Sequence, residues 1–218
     1  MADLITFKGR AKRLDDIDLP KLGRLIGVGE DVIHAVIDTE TAGSGFDSQG
    51  RPKVLPEPHI FWRELGEKKR QIAENQGIAY PRWGMKPYAK DAYARLNQMI
   101  VIDRPAALRS ASWGLGQIMG FNHKLAGYAS AEAMVEAFLD DEEAHLKGMV
   151  SFIKSSGIDD DLRYLDGLKR KVEPRDTWGF VSVYNGAGFR KNAYDVKFAA
   201  SLNRWRGIAD TPFDGQSA

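Results

Sequence analysis

The sequence predicts a mainly helical α+β domain, on the strength of three observations. Apolar residues recur at helical spacing along most of the chain, stretches with strand-like alternation are few, and one proline-rich segment interrupts the helices. The chain has 218 residues, of which 43% are hydrophobic, and this is enough for one folded core. We therefore expect a single domain over residues 1–218, with its core at about 20–205 and no second module.

Two amphipathic helices are predicted near the start of the chain. Their apolar positions are Leu19, Leu22, Leu25 and Ile26 in the first helix and Val32, Ile33, Val36 and Ile37 in the second. The first is expected to stop near Gly27, and the second runs into the glycine-rich stretch 41–46, which is a poor helix former. Residues 47–58 contain three prolines, so we expect a loop or a short β excursion there.

Further helices follow along the chain. Short ones are predicted at about residues 59–65 and 67–75, and another is marked by apolar residues between 88 and 99. Asp103 and Ser130 are suitable N-caps, and the helix after Ser130 is predicted to be the longest, running to Gly157. Asn192 is predicted to cap the last helix, so helices dominate the fold.

Composition excludes several classes of function. The chain has no cysteine, and its four histidines never form an HxxxH or HExxH pair, so neither a metal site nor any other cofactor is expected. The net charge is +1 with acids and bases mixed, which does not favour nucleic-acid binding. The first ten residues lack the apolar region of a signal peptide, and no apolar run approaches the roughly 20 residues of a membrane span. We expect a monomer that is made in the cytoplasm and does not insert into membranes.

Three segments together form a distinctive pattern. They are residues 37–46 (IDTETAGSGF), residues 110–122 (SASWGLGQIMGFN) and residues 183–189 (VYNGAGF). A glutamate ending an apolar helix, a Gly-Leu-x-Gln-Ile-Met block and a Tyr-Asn-Gly segment occur in this order in goose-type lysozymes and lytic transglycosylases. With residues 51–61 and 192–195 added, the sequence resembles more closely the N-acetylmuramidase family of phage endolysins and bacterial lysins, over roughly residues 20–205.

The resemblance implies a lysozyme-like fold and an activity. It implies a glycoside hydrolase that cleaves the β-1,4 bond between N-acetylmuramic acid and N-acetylglucosamine in the glycan strands of peptidoglycan. Such a protein, made in a host cytoplasm without a signal peptide, acts on peptidoglycan in the periplasm or cell wall after release. The separate wall-binding module that many relatives carry is not seen in this sequence.

Glu40 is the candidate general acid. Cleavage of a glycoside needs a group that protonates the leaving oxygen. A free glutamate is ionised at neutral pH, and desolvation raises its pKa. Glu40 follows Val36 and Ile37 on a helix predicted to be buried. The glycines at 43 and 45 are expected to leave room for a sugar beside the backbone.

A second carboxylate must act after the acid, and two candidates lie nearby in the sequence. Asp47 follows the glycine turn, while Glu57 lies in a proline-braced segment. The resemblance favours Glu57, because it places a glutamate in the matching Leu-x-Glu-x-His segment, although Pro56 and Pro58 depart from the family pattern. Inverting enzymes have carboxyls about 6.5–9.5 Å apart and retaining ones about 5–5.5 Å.

Five further residues are candidates for substrate binding. The resemblance places Ser112 and Gln117 near the bound glycan. It gives Tyr184 a role in orienting Glu40 and Asn185 a role in holding an N-acetyl group. His59 is expected in an aromatic cluster near the cleft with its neighbours in residues 61–62.

Glu142 lies on the apolar face of the longest predicted helix, four residues from both Phe138 and Leu146. A carboxylate at such a position needs a partner. We favour a buried structural ion pair over a second catalytic acid.

Two other functions are compatible with these motifs. A lytic transglycosylase would use the same glutamate but give 1,6-anhydro products. A non-catalytic glycan-binding module of a virion is the alternative outside enzymes. An interbacterial effector and a tail-associated lysin are alternatives to the role of a phage endolysin.

Overall fold

The computed structural model describes residues 6–41 and 43–213, and helices dominate this part of the chain. The α-helices are α1 (Asp18–Gly23), α2 (Glu30–Thr41), α3 (Pro58–Glu64), α4 (Glu67–Asn75), α5 (Ala92–Ile102), α6 (Arg104–Arg109), α7 (Ala131–Asp140), α8 (Glu142–Ser155), α9 (Asp159–Gly167), α10 (Trp178–Tyr184) and α11 (Tyr194–Trp205). The strands are β1 (Val54–Pro56), β2 (Ala111–Trp113) and β3 (Ile118–Met119). The predicted mainly helical fold is confirmed.

Helix α2 lies at the centre of one half of the core. Val32, Ile33 and Val36 are at most 1% exposed, and the helix packs most extensively against α11 and next against α1. Burying each of these side chains contributes about 1.5–3 kcal/mol to folding. The C-terminal end of α2 is therefore held by the core, and any side chain there has a well-defined position.

The three strands form one small antiparallel sheet in the order β1-β2-β3. Leu55 pairs with Ser112, and Ser112 pairs with Met119. Beyond β1 the backbone N–H of Glu57 donates to the carbonyl of Ser110 at 2.9 Å. The short β excursion expected in residues 47–58 is present, and the sheet fixes Glu57 at its edge.

The long helix predicted from Ser130 to Gly157 is wrong. Ser130 does cap α7, but Asp141 interrupts the run with an extended backbone, and its side chain accepts from the Ala144 N–H at 2.7 Å to start α8. Lys12 forms a β-bridge with Asp141 from outside the helix. The local preference of aspartate for the N-cap outweighs the unbroken apolar periodicity.

Two further expectations at the ends of the domain need correction. The last helix starts at Tyr194 after Ala193, which has a φ of 55°, so Asn192 is not its cap. The core also extends before residue 20, because Phe7 is 1% exposed and its ring lies 5.3 Å from Tyr93 and 5.7 Å from Trp113. Asp103, by contrast, caps α6 as predicted.

Candidate active site

A cleft of about 930 Å³ opens at the C-terminal end of α2. The end of α2, the segment from Asp47 to Leu55, the start of α5, the turn before β3 and one residue of α11 form its walls. The lining residues are Asp38, Thr39, Glu40, Thr41, Asp47, Arg51, Lys53, Val54, Leu55, Lys90, Asp91, Ala92, Tyr93, Gln117 and Lys197. Its size and its mixed polar and apolar walls suit an extended polar ligand.

Glu40 lies in the last turn of α2, at the base of this cleft. Burial raises its pKa to about 7, against the opposing effects of a hydrogen bond from Asn185 and the charge of Lys197. The Asn185 Nδ2 donates to Glu40 Oε1 at 2.6 Å. Near neutral pH a substantial fraction of Glu40 therefore carries the proton that a general acid needs.

Tyr184 and Asn185, at the end of α10, make different contacts. The Tyr184 hydroxyl donates to the carbonyl of Gly116 at 2.8 Å, and it is Asn185 that bonds to Glu40. Tyr184 therefore makes no hydrogen bond to Glu40 and does not orient it directly. The side-chain oxygen of Asn185, Oδ1, is buried without a hydrogen-bond partner among the described residues. A buried acceptor left unpaired beside a carboxyl is a feature that calls for a functional explanation.

Gln117 faces the cleft from a strained backbone. Its φ is 47°, which is unfavourable for a residue with a side chain. Its amide is fixed on both sides, because Oε1 accepts from Ser112 at 2.9 Å and Nε2 donates to the carbonyl of Gly114 at 2.9 Å. Ser112 itself is 6% exposed and does not line the cleft. Of the expected pair, Gln117 faces the cleft and Ser112 holds Gln117 in place.

Asp47 lines the cleft, but its oxygens are occupied. Oδ1 accepts from the backbone N–H groups of Gln49 and Arg51 at 2.8 and 2.9 Å, and Oδ2 accepts from Arg51 Nε at 2.8 Å. Burial favours a higher pKa, but the hydrogen bonds from Arg51 and Gln49 together lower it. This carboxylate stays ionised and serves the turn that it closes.

Glu57 occupies a second, smaller recess of about 250 Å³. His59, Tyr80, Trp83, Lys86 and Tyr88 are among the residues that surround it. Burial raises the pKa of Glu57 to about 7, while a hydrogen bond from Tyr88 acts in the opposite direction. The Glu57 side chain is 15% exposed, and His59 Nδ1 lies 3.2 Å from its Oε2. His59 thus neighbours the candidate second carboxylate.

The hydroxyl of Tyr194 is influenced by the charges of both Glu40 and Glu57. After burial, the charges of Glu40 and Glu57 are the next largest influences that raise the pKa of its hydroxyl. Both glutamates therefore lie within electrostatic range of one phenol at the start of α11. Tyr194 thus lies near both glutamates, while Glu40 lines the larger cleft and Glu57 a separate recess.

Gly45, in the turn after α2, has a different purpose from the one expected. Gly45 is buried, and a Cβ there would lie 2.4 Å from His145 Nδ1, so its missing side chain makes room for a histidine. His145 Nδ1 accepts from the Leu115 N–H, and burial lowers the pKa of its ring to about 4. This neutral histidine joins α8 to the turn between β2 and β3.

Glu142 forms the ion pair that the sequence favoured, although only its own side chain is buried and that of its partner Arg13 is exposed. It is 3% exposed, and its Oε1 lies 2.8 Å from Arg13 Nη1. The same carboxylate accepts from the N–H groups of Leu14 at 3.1 Å and Gly45 at 2.7 Å. It ties the N-terminal segment to the turn that follows Glu40.

Several residues of the site carried no sequence signal. Lys90 and Lys197 belong to the cleft wall, and Trp83 and Tyr88 belong to the recess of Glu57. Lys90, Lys197 and Trp83 look like ordinary surface residues in the sequence. Tyr88 was counted among the apolar residues of a predicted helix, but α5 starts only at Ala92. Tyr194 is different, because the segment 192–195 had been noted, although not for its tyrosine.

Neither a metal site nor a membrane-spanning helix is found within residues 6–41 and 43–213. This part of the chain holds no group of three or more His, Cys, Asp or Glu side chains arranged to bind a metal ion. It also holds no helix whose length and apolar character would let it cross a membrane.

Comparison with known proteins identifies the family. The N-acetylmuramidase family profile matches residues 30–206. The crystal structure of a Burkholderia AP3 phage endolysin is similar over 90% of this chain and 73% of that chain, with a TM-score of 0.74 and 30% sequence identity. No curated protein matches the chain. The lysozyme-like fold and the resemblance found in the sequence are confirmed, and this chain belongs to the N-acetylmuramidase family of peptidoglycan-degrading muramidases.

Proposed function

We propose that this protein is an endolysin that hydrolyses the β-1,4 bond between N-acetylmuramic acid and N-acetylglucosamine, with Glu40 as general acid. The observation that carries the proposal is the position of Glu40, at the base of a cleft of about 930 Å³ with a pKa raised to about 7. A carboxyl group that keeps its proton near neutral pH can donate it to a leaving glycosidic oxygen.

The reaction requires two proton transfers. Protonated Glu40 gives its proton to the bridging oxygen as the bond from that oxygen to the anomeric carbon breaks, and positive charge develops on the sugar ring. A water molecule then adds to the anomeric carbon, and its proton passes to the second carboxylate. Glu40 ends ionised, the second carboxylate ends protonated, and solvent exchange restores both groups.

Glu57 is the second carboxylate in this proposal. Asp47 has its oxygens occupied by Arg51 and by backbone N–H groups, whereas the hydrogen bond to Glu57 comes from one phenol, that of Tyr88. Glu57 also lines a recess of its own rather than the cleft of Glu40. In this proposal Glu57 acts as a base that activates water, as in an inverting reaction, for which the two carboxyls are expected about 6.5–9.5 Å apart.

Asn185 and Gln117 are the proposed contacts to the glycan. The unpaired Asn185 Oδ1 suits the N–H of a 2-acetamido group, which would satisfy it when the sugar binds beside Glu40. Gln117 is held rigidly at the cleft wall by Ser112. Rigid polar groups of this kind fix the orientation of a sugar without a large loss of side-chain entropy.

The role in phage lysis is part of the same proposal. It is supported by the likeness to a phage endolysin over 90% of the chain. In this role the protein is made in the host cytoplasm and reaches the peptidoglycan after release, as a monomer without a cofactor.

The decisive experiment combines the Glu40→Gln variant with mass spectrometry of digested sacculi. The variant keeps the size of the side chain but lacks its acidic proton, and we expect a loss of about 10²–10⁴-fold in lysis of permeabilised cells. Glu136→Gln, a change at an exposed residue of α7, is the matched control. Wild-type products should carry reducing N-acetylmuramic acid ends. Products lighter by one water would assign the protein to the lytic transglycosylases, and sacculi left intact by the wild type would indicate a non-catalytic module.

A further inference from the structure

The residues 80–91 between α4 and α5 form neither helix nor strand, and they cover Glu57. Positions 81–91 are all exposed to solvent. Among them Trp83 is 50% exposed and Tyr88 is 44% exposed, and Lys191 Nζ lies 4.6 Å from the centre of the Trp83 ring. Their placement therefore asks for an explanation other than core packing.

A short chain of hydrogen bonds runs from this segment to Glu57. Trp83 Nε1 donates to the Tyr88 hydroxyl at 3.2 Å, and that hydroxyl lies 2.9 Å from Oε1 and 3.0 Å from Oε2 of Glu57. An indole N–H can only donate, so the tyrosine oxygen must accept from it. The single hydrogen of the tyrosine is then directed at the carboxylate.

This direction matters for the charge of Glu57. A hydroxyl that donates to a carboxylate stabilises the ionised form, and a donor behind that hydroxyl polarises it further. Because the hydroxyl is almost equidistant from both oxygens, it also restrains rotation of the carboxylate. Burial of Glu57 has the opposite effect on its charge.

The other groups around Glu57 do not replace this contact. Burial and the charge of Arg63 lower the pKa of His59, which keeps its ring neutral at neutral pH. Tyr80 and Lys86 come from the same segment as Tyr88, and Tyr194 approaches from α11. Among the described residues, only Tyr88 makes a side-chain hydrogen bond to the Glu57 carboxylate.

We propose that Tyr88 is a positioning residue whose hydroxyl, braced by Trp83, holds the Glu57 carboxylate ionised and oriented to accept a proton from water. The inference rests on the proposed function, since it gives Glu57 the part of the base. It assigns a catalytic purpose to an exposed segment that the family motifs do not include. It also explains why two large aromatic side chains remain at the surface.

The test is the pH dependence of activity in the full-length Tyr88→Phe variant. Without the hydroxyl, Glu57 takes up its proton at higher pH, so the acidic limb of the profile should move upward by about one pH unit and the maximal rate should fall. Trp83→Phe should shift the limb in the same direction by less. Tyr164→Phe, at an exposed tyrosine of α9, should leave the profile unchanged.

Titration of the Glu57 carboxyl by carbon-13 NMR, assigned with Glu57→Gln, gives a readout that does not depend on activity. We expect its midpoint to rise in Tyr88→Phe. An unchanged midpoint, or an unchanged acidic limb while Glu57→Gln is inactive, would overturn the inference and leave the proposed function standing. Full activity of Glu57→Gln would overturn the assignment of the base, and the inference with it.

Discussion

Glu40 and Glu57 reach a similar pKa in two differently built regions of the molecule. Burial raises the pKa of each to about 7. Glu40 ends a helix that is packed into the core on several sides, and its partner is the amide of Asn185. Glu57 lies at a sheet edge beneath an exposed segment, and its partner is the phenol of Tyr88.

The difference shows that burial determines how far the pKa of each carboxyl is raised. The surrounding structure determines whether the carboxyl is suited to act as an acid or as a base. A carboxyl fixed by the core presents its proton from one direction, as a general acid requires. A carboxylate beneath a surface segment can be reached by water and can exchange its proton with solvent, as a general base requires. Three predictions would break or sharpen this comparison.

The largest expected effect separates Glu57 from Asp47. Glu57→Gln should lower the rate of sacculus digestion by about 10²–10⁴-fold, as loss of a general base does. Asp47→Asn should lower it less than about tenfold, because this side chain closes a turn and accepts from Arg51. Digestion rates of purified sacculi would measure both. Equal losses in the two variants would remove the distinction between the carboxylates.

The second prediction concerns stability rather than activity. A carboxyl whose pKa is raised in the folded state stabilises the fold below its unfolded pKa and loses that contribution as pH rises through the folded pKa. For Glu40 and Glu57 this window runs from 4.5 to about 7. At about pH 8, Glu40→Gln and Glu57→Gln should each gain up to roughly 3 kcal/mol in free energy of unfolding over the wild type, and little at about pH 4.

Urea unfolding at the two pH values measures this gain, with Glu136→Gln as the exposed control. The buried His145, whose pKa is lowered to about 4, adds a pH dependence of the opposite sign. That contribution is common to all the variants and cancels in the differences. Variants no more stable than the wild type at the higher pH would show that the burial of these carboxyls has little energetic cost.

The smallest expected effect is on the pH limit of Glu40. The charge of Lys197 lowers the pKa of Glu40, so Lys197→Met should raise it and move the basic limb of the activity profile to higher pH. We expect a shift of about half a pH unit, because the exposed lysine acts partly through water. Lys169→Met, which removes an exposed charge after α9, provides the comparison. A basic limb that moves to lower pH in Lys197→Met would contradict the role of this charge.

Local patterns predicted much of the fold and the position of one carboxyl. The helical periodicity of α2 and the glycines after it placed Glu40 at the end of a buried helix, as observed. Asp103 and Ser130 cap their helices as predicted, because N-capping depends on residues only two or three positions apart. Such short-range rules can be applied without knowledge of the tertiary structure.

The remaining features depend on contacts between segments far apart in the sequence. Tyr88 meets Glu57 across 31 positions, and Asn185 meets Glu40 across 145. The reason for Gly45 also became visible only with His145 placed against it. Even the break at Asp141 is reinforced from outside by Lys12, which the pattern of residues 130–157 could not reveal.

The buried carboxylate of Glu142 has a consequence for protein engineering. It binds Arg13 and Leu14 on one side and Gly45 on the other. Phe7, which precedes Arg13 in the same N-terminal segment, is buried in the core. A designer who joins a targeting peptide to this domain should place the junction ahead of Phe7, since loss of the segment through Leu14 would leave the buried Glu142 carboxylate with only the Gly45 N–H as a partner. The useful minimum for chimeric lysins is therefore set by an ion pair rather than by the first helix.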